Sequence, residues 1–271
     1  MSDFDRNAAT AKWGRPLTGA ETSVIDAGLR AYMLRVYNYM VLGLAVTGFA
    51  ALGIFMLSTT NDPALAAKSA TGAALALKGG KVFLTQIGYT LFVSPLKWAV
   101  VFAPLAFVFF FSYKLDSLKP STAQIMFLAF ATLIGVSLAT VLMVYTSTSI
   151  ARVFFITAAS FGALSLWGYT TQKDISSWGS FLFMGLIGVV LASLVNIFLQ
   201  SSMLQFIMSV VGVLVFAGLT AWDTQRIKSE YVYGAMQGDV MERSAISGAL
   251  SLYLNFINMF TLLLNLFGDR E

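Results

Sequence analysis

A short segment in the last third of the chain, Leu219–Lys228 (LTAWDTQRIK), contains residues whose types could take part in chemistry. Asp223 lies in this segment, where it ends the charge-free run Ile175–Trp222, and Arg226 follows three positions later. A carboxylate at the edge of so apolar a run is typical of an ion or proton pathway. The alternative is an interfacial carboxylate that pairs with Arg226.

A second segment, Ser244–Gly268, carries no charged residue at all. Its polar residues fall at helical spacing, which places them near one face of a helix. They are Ser247, Ser251, Asn255, Asn258 and Asn265. Such a stripe on an apolar helix indicates a face turned toward protein, water or an ion. Hydrogen bonding between helices is the alternative interpretation.

The composition indicates what kind of elements position these residues. Of 271 residues, 58% are hydrophobic and only 11% are charged, which is typical of a polytopic membrane protein in contact with lipid. The net charge of +4 is better explained by basic loops on one side of a membrane than by a nucleic-acid partner. Without cysteine or histidine, and with one carboxylate in a span, we expect no metal site, no catalytic residue and no enzyme.

The apolar stretches predict an all-α membrane bundle with seven transmembrane helices. The predicted spans are about Val36–Ser58, Pro95–Tyr113, Thr122–Tyr145, Ile150–Tyr169, Trp178–Leu199, Met203–Asp223 and Ser244–Phe267. A polar amino-terminal segment, residues 1–35, precedes the transmembrane domain, residues 36–271, and a weakly amphipathic helix is expected over Glu21–Tyr32. Ala64–Val93 is predicted as a loop with a short surface helix, and Gly43, Gly48 and Gly53 as sites of close helix packing.

The basic residues predict the orientation of the spans. Eleven of the 17 lysine and arginine residues fall on the side of the amino terminus, and six fall on the other side. Basic residues collect in cytoplasmic loops. We therefore expect a cytoplasmic amino terminus and an outside carboxyl terminus, in a bacterial inner membrane.

Two motifs in the last third resemble those of the Bax inhibitor-1 family, also named for its transmembrane Bax inhibitor motif. They are LTAWDTQRIK and, at the matching distance, GALSLYLNFINMF (Gly248–Phe260), and the segment RVYNYMVLG (Arg35–Gly43) is similar as well. The resemblance is to bacterial-type members and covers nearly all of the chain after Arg30. It implies a bundle of seven helices in which the last helix is central and is wrapped by the other six.

The same resemblance implies a pH-sensitive calcium leak whose sensor is a pair of aspartates. Asp223 matches the first aspartate, but the second falls on Asn255, which carries no titratable proton. The shared-proton sensor is therefore altered to Asp223/Asn255. Calcium would bind only transiently, because it prefers several oxygen ligands that include carboxylates, and no cofactor is expected.

Our hypothesis is that Asp223 and Asn255 close the cytoplasmic end of a polar ion pathway. Ser251, Asn258 and Asn265 would line the pathway, and Lys114 and Arg226 would serve as cationic latches. Some relatives carry arginine at the positions of Lys114 and Asn265. The alternative for Lys114 is an ordinary lysine of a cytoplasmic turn, and a gating ion pair that uses an arginine at residue 265 is absent here.

Two other functions compete with a leak. Some bacterial relatives are associated with modulating a membrane-bound protease, so the chain could regulate such a protease or another stress-response partner through residues 1–35. Asp223 would then be structural. A proton-coupled transporter would predict an inverted repeat with interrupted helices, and the sequence shows neither.

Overall fold

The computed structural model describes residues 19–68, 73–77, 82–231 and 238–270, with only the backbone described for residues 19–25 and Asp116. The helices are α1 Gly19–Ser58, α2 Gln86–Phe92, α3 Lys97–Lys114, α4 Pro120–Val144, α5 Ser147–Thr170, α6 Trp178–Leu199, α7 Ser202–Glu230 and α8 Asp239–Phe267. All of them except α2 are long and apolar enough to cross a membrane. The prediction of an all-α membrane protein with seven spans is confirmed.

The last helix, α8, is the most buried of the seven. Over its most apolar 18 residues it is 56% buried, whereas the other six spans range from 11% to 33%. The outer helices leave large apolar side chains exposed, such as Phe198 of α6 at 87%, as expected of surfaces that face lipid. Burial of this extent is what the predicted central position of the last helix would require.

The observed bounds depart from the predicted spans mainly at helix ends. The bounds of α6 are those predicted, and the others differ by a few residues, except that α1 begins at Gly19 and α7 ends at Glu230. No proline interrupts residues 19–58, so the predicted Glu21–Tyr32 helix and the first span form one helix that passes through the predicted domain boundary at residue 35. The helix α7 continues for about two turns past Asp223, the expected end of the sixth span.

A small sheet occupies part of the connection between α1 and α3. Its strands are β1 Thr59–Thr60, β2 Ala76–Leu77 and β3 Val82–Leu84, in the antiparallel order β1–β3–β2. Thr59 lies opposite Leu84, and Ala76 lies opposite Phe83. Short 3-10 turns occur at Pro63–Leu65 and Leu115–Ser117. The short surface helix expected here is α2, but the strands are too short for an alternating pattern to reveal them.

The chain divides into two compact units, one of Met1–Asn38 and Thr157–Leu262 and the other of Tyr39–Ile156 and Leu263–Glu271. In the second unit α1 packs closely on α4, where the Thr47 hydroxyl donates to Ala131 O at 2.9 Å. A Cβ at Gly135 would lie 2.6 Å from Thr47 O. The predicted packing role of Gly48 and Gly53 was wrong, because a Cβ at either would meet no atom of the described residues within 4 Å. The glycine that permits close approach lies on the partner helix.

Candidate functional site

The centre of the candidate site is a buried pair of side chains, Asp223 of α7 and Asn255 of α8. Asp223 is 6% exposed and Asn255 is 5% exposed. The Asn255 amide Nδ2 donates to Asp223 Oδ2 at 2.7 Å, and Arg226 Nη2 donates to Asp223 Oδ1 at 2.6 Å. Both carboxylate oxygens therefore accept hydrogen bonds, as the oxygens of an ionised carboxylate do. The structure brings together the two residues that the sequence paired, each on its predicted span.

Arg226 connects this pair to three further residues. Its Nη2 donates to Ser251 Oγ at 3.2 Å, its Nη1 lies 3.6 Å from Glu230 Oε1, and its guanidinium lies 5.1 Å from the centre of the Trp222 ring. Asp223, Arg226 and Glu230 share one face of α7 because they are three and four positions apart. Arg226 is thus in direct contact with Asp223, and its role as a latch stays a prediction.

Polar residues on the other faces of α7 bind the last turn of α5 and the connection between α5 and α6, which explains why the helix continues past Asp223. Gln225 donates from Nε2 to Lys173 O at 2.8 Å and accepts at Oε1 from Ile175 N at 3.0 Å. Lys228 Nζ donates to Tyr169 O at 2.9 Å. These bonds satisfy side chains that would otherwise favour a loop.

A chain of hydroxyl groups fixes α7 on the face next to Asp223. The Thr224 hydroxyl donates to Thr220 O at 2.8 Å, so it accepts from the Ser165 hydroxyl at 2.9 Å, which in turn accepts from the Tyr37 hydroxyl at 2.6 Å. Ser165 and Thr224 are buried. This chain joins α1, α5 and α7 and holds α7 in the rotation that turns Asp223 toward Asn255. Sequence reasoning missed it, because its three residues lie far apart in the chain.

The other residues predicted for the pathway have local partners. Asn258 is half-buried and donates from Nδ2 to Leu254 O at 2.8 Å on its own helix. Asn265 lies in the second unit and accepts at Oδ1 from the Tyr145 hydroxyl at 2.9 Å, and Arg270 Nη2 donates to that hydroxyl at 3.3 Å. These contacts fit the hydrogen-bonding alternative. A pathway shared by Asn258, Asn265 and Asp223 stays a prediction.

Lys114, the other predicted latch, is the last residue of α3 in the second unit. Its side chain is exposed, and Nζ lies 5.9 Å from the centre of the Tyr113 ring. This position at a helix end is that of a lysine in a loop at the membrane surface. A latch formed by Lys114 stays a prediction.

Seven membrane-length helices, with the most buried one last and an Asp–Asn pair on the last two, define a polytopic helical membrane protein. The sequence pattern of the family described as "Inhibitor of apoptosis-promoting Bax1" matches residues 29–271. The chain therefore belongs to the Bax inhibitor-1 family, as its motifs indicated.

Bacterial proteins resemble the chain over nearly its whole length. It is 43% identical over 273 residues to an uncharacterized protein of Caulobacter vibrioides, with 100% of both chains covered. It is 42% identical to an uncharacterized protein of Rickettsia prowazekii, over 94% of this chain and 96% of the relative. It is also 41% identical to the inner membrane protein YbhL of Escherichia coli, over 90% of this chain and 94% of the relative.

Proposed function

We propose that this membrane protein is a cation leak that passes calcium, with Asp223 as the carboxylate that the ion meets inside the bundle. The observation that carries the proposal is the burial of that carboxylate, 6% exposed on a membrane-spanning helix. Ionisable groups at such positions are expensive to bury and are typical of ion pathways. The family resemblance supports the same function, and the name of the Escherichia coli relative supports an inner-membrane location.

The chemistry of the site favours passage over storage of the ion. Calcium takes about 6–8 oxygen ligands, and Asp223 offers one carboxylate beside the Asn255 amide and the Ser251 hydroxyl. Among the residues that the structure describes, no group of three or more aspartate, glutamate, cysteine or histidine side chains could hold a metal ion. A calcium ion at Asp223 would therefore be held weakly and released readily.

The test is calcium flux into proteoliposomes for wild type and Asp223→Asn, with Asp239→Asn as the matched control. Asp239 is exposed and begins α8, so its substitution removes an equal charge away from the site. We expect Asp223→Asn to abolish most of the flux and Asp239→Asn to leave it unchanged. Equal flux in all three proteins would refute a role for Asp223 in conduction.

Deletion of residues 1–18 distinguishes the regulatory alternative from a leak. A leak keeps its flux after this deletion, whereas a regulator that acts through the part of the polar segment before α1 loses its effect on a membrane-bound protease. A chain in which neither wild type nor the deletion variant conducts would favour the regulatory function.

A further inference from the structure

Three charged side chains line one face of the last two turns of α7. Asp223, Arg226 and Glu230 together carry a net charge of −1 when both carboxylates are ionised. The neighbouring cation on the helix, Lys228, is directed to Tyr169 O instead. Arg226 is therefore the cation of this cluster, and it has a carboxylate on each side.

The two contacts of Arg226 are unequal. Its Nη2 lies 2.6 Å from Asp223 Oδ1, which is a short charge-assisted hydrogen bond, whereas its Nη1 lies 3.6 Å from Glu230 Oε1, which is beyond hydrogen-bond distance. In this position Arg226 Nε finds no acceptor among the described residues. The guanidinium is thus held firmly at one carboxylate and loosely at the other.

Arg226 also has room to move between them. Its side chain is 38% exposed and that of Glu230 is 40% exposed, whereas that of Asp223 is 9% exposed. The ring of Trp222 lies below the guanidinium and offers it a flat surface. A shift of about 1 Å toward Glu230 would complete a hydrogen bond of ordinary length there.

We propose that Arg226 pairs with Glu230 when a permeating cation displaces Arg226 from Asp223. This inference rests on the proposed leak and names the residue that regulates it. With Arg226 at Asp223, an approaching cation meets a neutralised carboxylate and a like charge. When Arg226 moves to Glu230, the guanidinium stays paired and Asp223 Oδ1 becomes available, so no charge is left buried without a partner. Without Glu230, the same movement leaves the guanidinium unpaired.

The test measures calcium binding separately from flux. The measured quantity is the rise in the thermal unfolding midpoint of the purified protein as calcium is added. Glu230→Gln holds Arg226 at Asp223, and we expect the half-saturating calcium concentration to rise about fivefold, which is the scale of one partly exposed ion pair. Arg226→Gln removes the competing cation, and we expect that concentration to fall about tenfold. Glu230→Asp keeps a carboxylate and should lie between wild type and Glu230→Gln.

Matched controls remove the same charges nearby. Lys228→Gln removes a cation directed to Tyr169, and Glu242→Gln removes a carboxylate paired with Arg35. Both should bind calcium as wild type does, and Asp223→Asn in the Arg226→Gln background should abolish the gain. The inference is overturned if Glu230→Gln binds like wild type, if Arg226→Gln shows no tighter binding, or if Glu242→Gln matches Glu230→Gln.

Flux measured on the same proteins separates this inference from the proposed leak. If Arg226→Gln binds calcium more tightly but no variant conducts, the exchange of Arg226 is supported and the leak is wrong. If wild type and Glu230→Gln conduct and bind equally, the leak stands and the role of Glu230 is wrong.

Discussion

At the scale of single residues, the hydrogen bond between Asp223 and Asn255 decides how the site responds to protons. The 2.7 Å bond has the shape of a carboxyl–carboxylate pair, but its donor is an amide, which keeps its hydrogens at every ordinary pH. A pair of carboxylates in contact shares a proton that leaves as the pH rises. The pair in this chain has no such proton.

We therefore predict that Asn255→Asp makes the calcium flux dependent on pH. At low pH the two carboxyl groups share one proton, and the pair carries a single negative charge. At higher pH this proton is lost, so both groups are ionised, repel each other and attract calcium. Flux should thus rise with pH in the variant and stay nearly constant in wild type, as measured in proteoliposomes between about pH 5 and pH 8.

Asn258→Asp is the control, because Asn258 lies one turn further along α8 and donates to its own helix. Its flux should not acquire the same pH dependence. A wild-type flux that already varies with pH as steeply as that of Asn255→Asp would contradict the explanation.

The residues of the site could be predicted only in part from the sequence. Asp223 and Asn255 were paired by the family motifs, and Arg226 was visible at helical spacing. Glu230 was missed because the sixth span was expected to end at Asp223, which placed residue 230 in a loop. The Tyr37–Ser165–Thr224 chain was missed because contacts between distant helices leave no local pattern.

At the scale of elements, the site depends on how closely α5 and α7 approach. A Cβ at Gly168 of α5 would lie 2.4 Å from Ala221 O and 3.0 Å from Ala221 Cα, so the obstacle is backbone rather than a movable side chain. Ala221 is two residues before Asp223. The contact therefore sets both the packing of the two helices and the position of the carboxylate.

We predict that Gly168→Ala destabilises the protein by about 1–3 kcal/mol, the usual effect of overpacking. The measurement is the thermal unfolding midpoint in detergent, together with calcium flux, which should also fall. Gly162→Ala is the matched control on the same helix, since a Cβ there meets no atom within 4 Å in the part of the chain that the structure describes. Equal midpoints for the two variants would show that α5 and α7 can separate without penalty.

The helices were easier to predict than their ends or the sheet. Long apolar runs bounded by polar residues identify spans directly, as for α6. The end of α7 depends on partners in the α5–α6 turn, and strands of two or three residues depend on pairing across the chain. Neither property is visible in a local stretch of sequence.

At the scale of the whole molecule, the distribution of basic residues predicts that the turn after α3 faces the cytoplasm and the turn after α1 faces outside. The chain contains no cysteine, so a maleimide would label an introduced cysteine and no other site on the protein. Ser117 and Asn61 are exposed positions in these two turns.

We predict that a membrane-impermeant maleimide labels Asn61→Cys in intact cells, and labels Ser117→Cys only after the membrane is permeabilised. Labelling of denatured protein controls for expression of both variants. The reverse labelling pattern would show the opposite orientation, in which the carboxyl-terminal end of α7, with Asp223, lies on the outer side.

The Asp223–Asn255 contact also has an evolutionary consequence. Asparagine and aspartate have nearly the same size, and their codons differ by a single base. The surrounding helices already accommodate the side chain, with Asn255 buried against Asp223. A lineage can therefore gain or lose a proton-sharing pair at this position in one mutational step, without rebuilding the fold around it.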